Sequence, residues 1–492
     1  MIQKSIVSIL TLFMLFTTVC QISAEEVLID KQLLEKILER QDALEEEVRQ
    51  LKDQIKKRAI PAVTSPYEQE VEYLKEDVED MSGRLDTVEK KSILDKIRLN
   101  ADFRVRMDYI DHNNFLDDNG QEKDGRTDEL WSSRLRIYLR SEVTDNIIFH
   151  GRLNYFKLWG DTNYDPPQGG VTYDLAHSAF SDREGNLHVE RAYIDYFVPD
   201  TPFSLSFGRI PLGEGPPVEL KNYTSRKGTW PKIVNDLEGD GISANISLDN
   251  WTGLKNAMFR IMYVKLFQNY LKYDGIEMND WRAIVSAFET EIPGVKDSLL
   301  WLSHTRLEDI PNIFGMSPPE DLGKVDSYVA HLQFRNLMDG NLDYFAAFNY
   351  THTRPVSEGV ELAPGYEVGL YGDTLHDDLG KSRNGYCIYT GLRYKLPLSI
   401  LKYPRLGFEY NHGSKYFMAA PPNDGEMIDK IGVTGDVYEL YYIQPIHEKM
   451  FCRLGAIYAG YDSYNHLMGV FSHRPESDMS MFNTYFLINV RF

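Results

Sequence analysis

Seven arginines, Arg98, Arg104, Arg106, Arg134, Arg136, Arg140 and Arg152, are the residues whose type and spacing speak most directly to chemistry. Within the runs 98–106 and 134–140 they are separated by even numbers of residues, which on an extended chain puts them on one face. A guanidinium keeps its charge at any physiological pH, so these groups cannot trade protons with a substrate. They can attract, orient and pass anions. Asp102, Asp108 and Glu142 are interleaved with them and neutralise part of the positive wall. A second charged set lies in the Gly- and Pro-bearing stretch IPLGEGPPVELKNYTSRKGTWPKIVNDLEGDG, with the acids Glu214, Glu219, Asp236, Glu238 and Asp240 and the bases Lys221, Arg226, Lys227 and Lys232. Acids facing an arginine wall set up a transverse field, which orients dipolar solutes and admits small polar ones.

Catalytic patterns are missing from the same inventory. The 12 histidines are scattered, His304, His331, His352 and His376 have no fixed partner spacing, and neither HExxH nor GxSxG occurs. Cys20, Cys387 and Cys452 form no CxxC or zinc-finger spacing. Asp111, Asn113, Asp117, Asp118 and Asn119 are rich in oxygen ligands but miss the EF-hand spacing and its glycine. No catalytic residue, metal or cofactor is therefore expected, and no enzymatic activity. The chain has 492 residues, with 74 acidic against 53 basic side chains and a net charge of −21, which argues against nucleic acid as a partner. The ion preference stays open: arginine at a narrow point favours anions, while acid-rich loops such as DDNGQEKDGRTDE attract cations.

The elements that must position these groups are strands. Ile97, Leu99, Ala101, Phe103, Val105, Met107 and Tyr109 alternate strictly with charged or polar residues, and Trp131, Leu135, Ile137 and Leu139 repeat the pattern. The alternation predicts strands near 97–109, 131–143, 147–159, 187–198, 203–209, 241–249, 256–267, 281–290, 298–308, 325–337, 342–352, 385–396, 403–412, 435–446, 450–461 and 480–492. Short joins alternate with long ones throughout, as in a transmembrane barrel with tight periplasmic turns and longer outer loops. The fold expected is therefore an all-β transmembrane antiparallel barrel over 93–492, of about 16 strands, with 14 or 18 as alternatives. An apolar face alternating with a fully charged one suits lipid outside and water inside far better than a soluble sandwich.

The N-terminal part reads differently. Residues 1–24 have a lysine, an apolar run and a small-residue exit before Glu25, the pattern of a signal peptide. Over 25–92 two heptad seams follow, Leu34, Ile37, Gln41, Leu44, Val48, Leu51 and Ile55, then Val71, Leu74, Val78, Met81, Leu85 and Val88, broken over 59–66 by prolines. Helices of this length are marginal alone in water, so a periplasmic coiled-coil stalk and a homo-oligomer are expected, a trimer being favoured.

The stretches VEKKSILDKIRLNADFRVRMDY, DELWSSRLRIYLRSEVTDNIIFHGRLNYFKLWGD and TYFLINVRF resemble outer-membrane porin-like proteins of didermic bacteria, in particular the uncharacterised DUF3373 group, over roughly residues 90–492. The terminal Phe492 resembles the signature that barrel-assembly machinery recognises. The resemblance implies an outer-membrane location, outer-membrane lipid and assembly machinery as partners, and passive diffusion of small hydrophilic solutes or ions. In general porins the loop corresponding to 210–240 folds into the barrel, which implies a constriction opposite the arginine wall. The alternative is a structural or docking barrel without channel activity, linking the outer membrane to peptidoglycan or a periplasmic partner through the stalk. If the seam is assigned correctly, Gln41→Leu keeps or tightens oligomerisation on sedimentation. Dissociation of that variant would show the seam to be misassigned.

Overall fold

A strand with one apolar and one polar face needs two solvents, and closing a sheet on itself supplies both while removing its edges. The computed structural model describes residues 97–116, 122–159, 187–234, 238–267, 280–310, 321–356, 360–363, 366–368, 380–418, 430–462 and 478–492. The leader at 1–24, the helical seam from Leu34 to Val88 and the oxygen-bearing Asp117, Asp118 and Asn119 lie outside the described residues.

The described chain is a closed antiparallel barrel of sixteen strands. In chain order these are β1 (Ile97–Leu116), β2 (Glu122–Thr144), β3 (Ile147–Leu158), β4 (His188–Phe197), β5 (Phe203–Pro211), β6 (Glu238–Ser247), β7 (Met258–Phe267), β8 (Trp281–Thr290), β9 (Ser298–Glu308), β10 (Gly323–Asn336), β11 (Leu342–Pro355), β12 (Asn384–Lys395), β13 (Arg405–Gly413), β14 (Gly435–His447), β15 (Met450–Tyr461) and β16 (Ser480–Arg491). Each pairs with the next, and β16 closes on β1 in a register running from Asp102 opposite Arg491 to Asn113 opposite Ser480. A separate two-stranded ribbon, Val360–Ala363 with Tyr366–Val368, lies in the β11–β12 connection.

The first hairpin is longer than alternation predicts. Residues 110–116 and 122–130 extend the ladder instead of forming a loop, with Asp111 opposite Phe482 and Arg126. Period-two hydrophobicity ends where the apolar band ends, but backbone pairing does not need it, so polar residues carry the strands further.

Leu99, Phe207, Ile242, Ile261, Leu302, Phe348, Leu392 and Leu440, spread around the circumference, are each at least 40% exposed. An outward apolar row of this extent is what a bilayer accepts and what a soluble surface avoids. The inner row is less uniform than expected. On β1 to β4 it is charged, with Asp102, Arg104, Arg106, Arg134, Arg136, Arg152 and Glu190 all buried. Elsewhere it is partly apolar: Val264, Val285 and Trp301 form one buried cluster, Val329, Phe345 and Tyr389 belong to a second, and Val437, Tyr441 and Tyr485 to a third. One device fits these large rings in. Tyr485 lies across Gly455 of the neighbouring strand, where a Cβ would come within 2.4 Å of the ring.

Leu440 sits near the middle of β14 on the outward row. Leu440→Lys should lower the stability of the bilayer-embedded barrel by about 2–4 kcal/mol, read from its denaturant midpoint in vesicles. An unmoved midpoint would mean that this row does not face lipid.

Candidate functional site

The ladder sets the arginines side by side. Arg98 lies opposite Arg140 and Arg104 opposite Arg134 across β1 and β2, while Arg152 of β3 lies opposite Arg191 of β4. Like charges placed directly across a ladder repel. Interleaved acids compensate. Arg106 is 2.7 Å from Asp108, Arg134 is 3.4 Å from Asp102, and Arg136 is 2.6 Å from Glu190. Arg152 also reaches Glu190 at 2.6 Å, and Arg104 donates to Asn222 at 3.0 Å. Five of the seven arginines, Arg104, Arg106, Arg134, Arg136 and Arg152, are thus buried among polar partners. Arg98 and Arg140 stand apart near the short-turn end, exposed, each 3.7 Å from Glu142.

The segment between β5 and β6 supplies partners to this wall and to the rest of the ring. It contains one short helix, α1 (Val218–Lys221). Glu214 bonds Arg136 at 2.5 Å, Arg152, and Arg191 at 3.3 Å. Burial alone would push its carboxyl up, but the three guanidiniums outweigh burial and hold it well below the usual carboxylate range. Glu219 accepts from Gln333 of β10 at 2.7 Å, Lys221 is 2.7 Å from Glu439 of β14, and Arg226 is 2.6 Å from Glu289 of β8. Lys227 donates to the Tyr138 hydroxyl at 2.8 Å and is 3.3 Å from Asp102. Burial pulls its ammonium below the usual lysine range, against the opposing pull of Glu214 and Asp102. Asp240 is not among these groups: it sits on β6, exposed, 3.2 Å from Arg209. Glu238 opens β6, though its side chain, like the whole of Asp236, lies outside the described residues.

Charge pattern in the sequence misses what holds this segment. Leu212 and Trp230 join the cluster of β7 to β9, with Trp230 edge-on to Trp301 at 5.1 Å. Leu220, Ile233 and Val234 join the cluster of β10 to β12, and Asn349 donates to the Ile233 carbonyl at 2.9 Å. At Gly215 a Cβ would fall 1.7 Å from the Trp230 carbonyl oxygen, so only glycine lets the two arms meet. The apolar residues in a Gly- and Pro-rich stretch were the available signal. Glu190 and Arg191 were harder to find. A register shift between Arg152 and Leu153 buries both neighbours, and a strict period of two can place only one of them inside. Lys430, in the β13–β14 connection, adds a buried ammonium 2.7 Å from Glu409 and bonded to Glu439.

The family model described as a protein of unknown function, DUF3373, matches residues 124–296 and 284–470. Among solved structures, the chain is similar to OprB of Pseudomonas putida at high pH, with 13% identity, 84% of this chain and 97% of that one covered, and a TM-score of 0.48. It is also similar to an anion-selective porin from Comamonas acidovorans, at 10% identity, with 80% and 99% covered and a TM-score of 0.46. OmpT of Vibrio cholerae, folded in vitro in its trimer form, gives 10% identity, 80% and 99% coverage and a TM-score of 0.40. No protein with a curated description matches the chain.

Three buried guanidiniums share the carboxylate of Glu214, two of them with Glu190 as a second partner. Glu214→Gln should destabilise the barrel by about 3–5 kcal/mol, whereas Arg98→Gln, paired only at the surface, should cost about 1 kcal/mol or less, both read as denaturant midpoints. Equal midpoints for the two variants would remove Glu214 from its assigned role.

Proposed function

The chain belongs to the DUF3373 family of proteins of unknown function, and from that premise we propose that it is a passive pore of the bacterial outer membrane for small hydrophilic solutes or ions. The observation that carries the reading is Glu214 of the β5–β6 segment bonded to Arg136, Arg152 and Arg191 on three successive strands. An acid borne on a connecting segment against a cationic wall makes a narrow polar passage with a transverse field. Such a field orders water and dipolar solutes while turning apolar ones away. Barrels of sixteen to eighteen strands are wide enough to leave an aqueous lumen unless something fills it. In this reading the segment over 210–240 folds inward and narrows that lumen, with Glu214, Glu219, Lys221, Arg226 and Lys227 at the constriction. The signal peptide directs export, the stalk over 25–92 lies in the periplasm, and its seam holds a homo-oligomer, a trimer in preference. Phe492 serves as the assembly signal.

A specific observation favours a second reading. The β5–β6 segment is bonded to β1 through Arg104, to β10 through Gln333, to β12 through Arg393 and to β16 through Arg491. It also packs apolar side chains against β7 to β12. A segment tied to so much of the circumference suits a barrel closed at this level, one that serves as an anchor or dock for the stalk and its partner.

Planar-bilayer recording under a salt gradient separates the two. Stable conductance steps from purified, folded protein are expected, with the sign of the reversal potential giving the ion preference. Replacing residues 213–233 by a short Gly/Ser linker should raise the unit conductance of a constricted pore. Silence from the natural barrel, with steps appearing only after that replacement, would favour the closed barrel.

A further inference from the structure

At the short-turn end of the barrel a cavity of about 590 Å³ opens between β1 to β4, the β5–β6 segment, the β14–β15 turn and the end of β16. Seven of its lining side chains are Arg or Lys, and a single one, Asp102, is acidic. That ratio runs against a chain whose net charge is −21, so composition does not explain it.

Glu190 and Glu214 already pair with the lining Arg152 and Arg191, so the excess rests on the other five cations, Arg98, Arg140, Lys227, Lys449 and Arg491. Arg98 and Arg140 share Glu142, each at 3.7 Å, so one carboxylate serves two guanidiniums. Asp102 is shared between Lys227 and Arg134. Asp195, 3.1 Å from the lining His150, adds one further carboxylate at the edge, fewer than the cations that remain. Arg491 is bonded to the carbonyls of Asn222 and Tyr223, which carry no formal charge. Lys449 adds a further cation from the turn. The volume lies in the range of small-molecule sites, and converging guanidiniums match the paired oxygens of carboxylate and phosphate.

We propose that this cavity is a binding site for small oxyanionic solutes, those bearing carboxylate or phosphate groups. It would act as a vestibule that concentrates them at the short-turn mouth. The vestibule role rests on the pore reading; the binding itself does not. Inside a low-dielectric wall the surplus charge is screened less than at an open surface, so oxyanions are held there in preference to neutral solutes of the same size.

The test is calorimetric titration of the full-length folded protein at low ionic strength with inorganic phosphate, with citrate, and with glucose as the uncharged control. Oxyanion binding is expected and glucose binding is not. Arg98→Gln with Arg140→Gln should weaken oxyanion binding about tenfold, since two charge-assisted contacts are lost. Both side chains are exposed, so this double variant leaves the buried partners untouched. Asp102→Asn, which removes the single lining acid, should tighten binding. Arg282→Gln, a partly exposed cation outside the cavity, should leave it unchanged. Binding of only one of the two anions supports the site and names its preferred group. Absence of binding by either anion to folded protein overturns the proposal, as does equal binding by the wild type and the double variant. Binding with the expected variant pattern in a protein that never conducts would defeat the pore reading while leaving the site standing.

Discussion

Lipid offers no hydrogen-bond partner to a peptide group, and this is the constraint from which the rest of the molecule follows. A sheet meets it only by having no edge, so β1 must find β16 at the other end of the barrel sequence, from Asp102 opposite Arg491 onward. Once that closure is made, each strand has a lipid side and a lumen side, and the two select residues by different rules. The lipid side accepts only an apolar row such as Leu99, Ile261 and Leu440. The lumen side accepts charge, provided that water or a partner is at hand.

In this barrel the partner is largely the protein itself. On β1 to β4 the buried guanidiniums are matched by carboxylates from neighbouring strands and by Glu214. On β7 to β12, the inner apolar residues are matched by Leu212, Leu220, Trp230 and Ile233 of the same connecting segment. One stretch of chain therefore serves two unlike surfaces. It does so by setting Leu212 and Glu214 on one arm and Trp230 and Ile233 on the other, the two arms meeting at Gly215. A buried ion pair is weak evidence of net stability, but removing one member leaves an unpaired charge in a dry place. The charged half is thus less tolerant of change than the apolar half.

Much of the architecture was legible because period-two alternation is a local signal repeated sixteen times. The strand number, the short and long joins, and the inward side of Arg104, Arg134 and Arg136 all follow from it. Where alternation is broken or silent, the reading stops. The register shift at Arg152 and Leu153 hides the fact that Glu190 and Arg191 are both buried. The polar ends of β1 and β2 look like loop because pairing there needs no hydrophobicity. The long-range partners of the β5–β6 segment were not legible. Which arginine meets Glu214, or which acid meets Lys221, depends on distances across a lumen, and no local pattern encodes those. Glu439 was a missed opportunity: a lone acid between Val437 and Tyr441 on an otherwise apolar inner row already asked for a cation.

The ties of the β5–β6 segment also carry information about time. The Lys221 carbonyl accepts from Arg453, 232 positions along the chain, and the Asn222 carbonyl accepts from Arg491, 269 positions along. Contacts of such separation form last, because the intervening chain must already be in place. Until β15 and β16 arrive, the segment lacks its bonds from Arg453 and Arg491. The stretch around Lys221 and Asn222 is therefore among the last of the interior to be fastened, and among the earliest to loosen when the C-terminal strands come away.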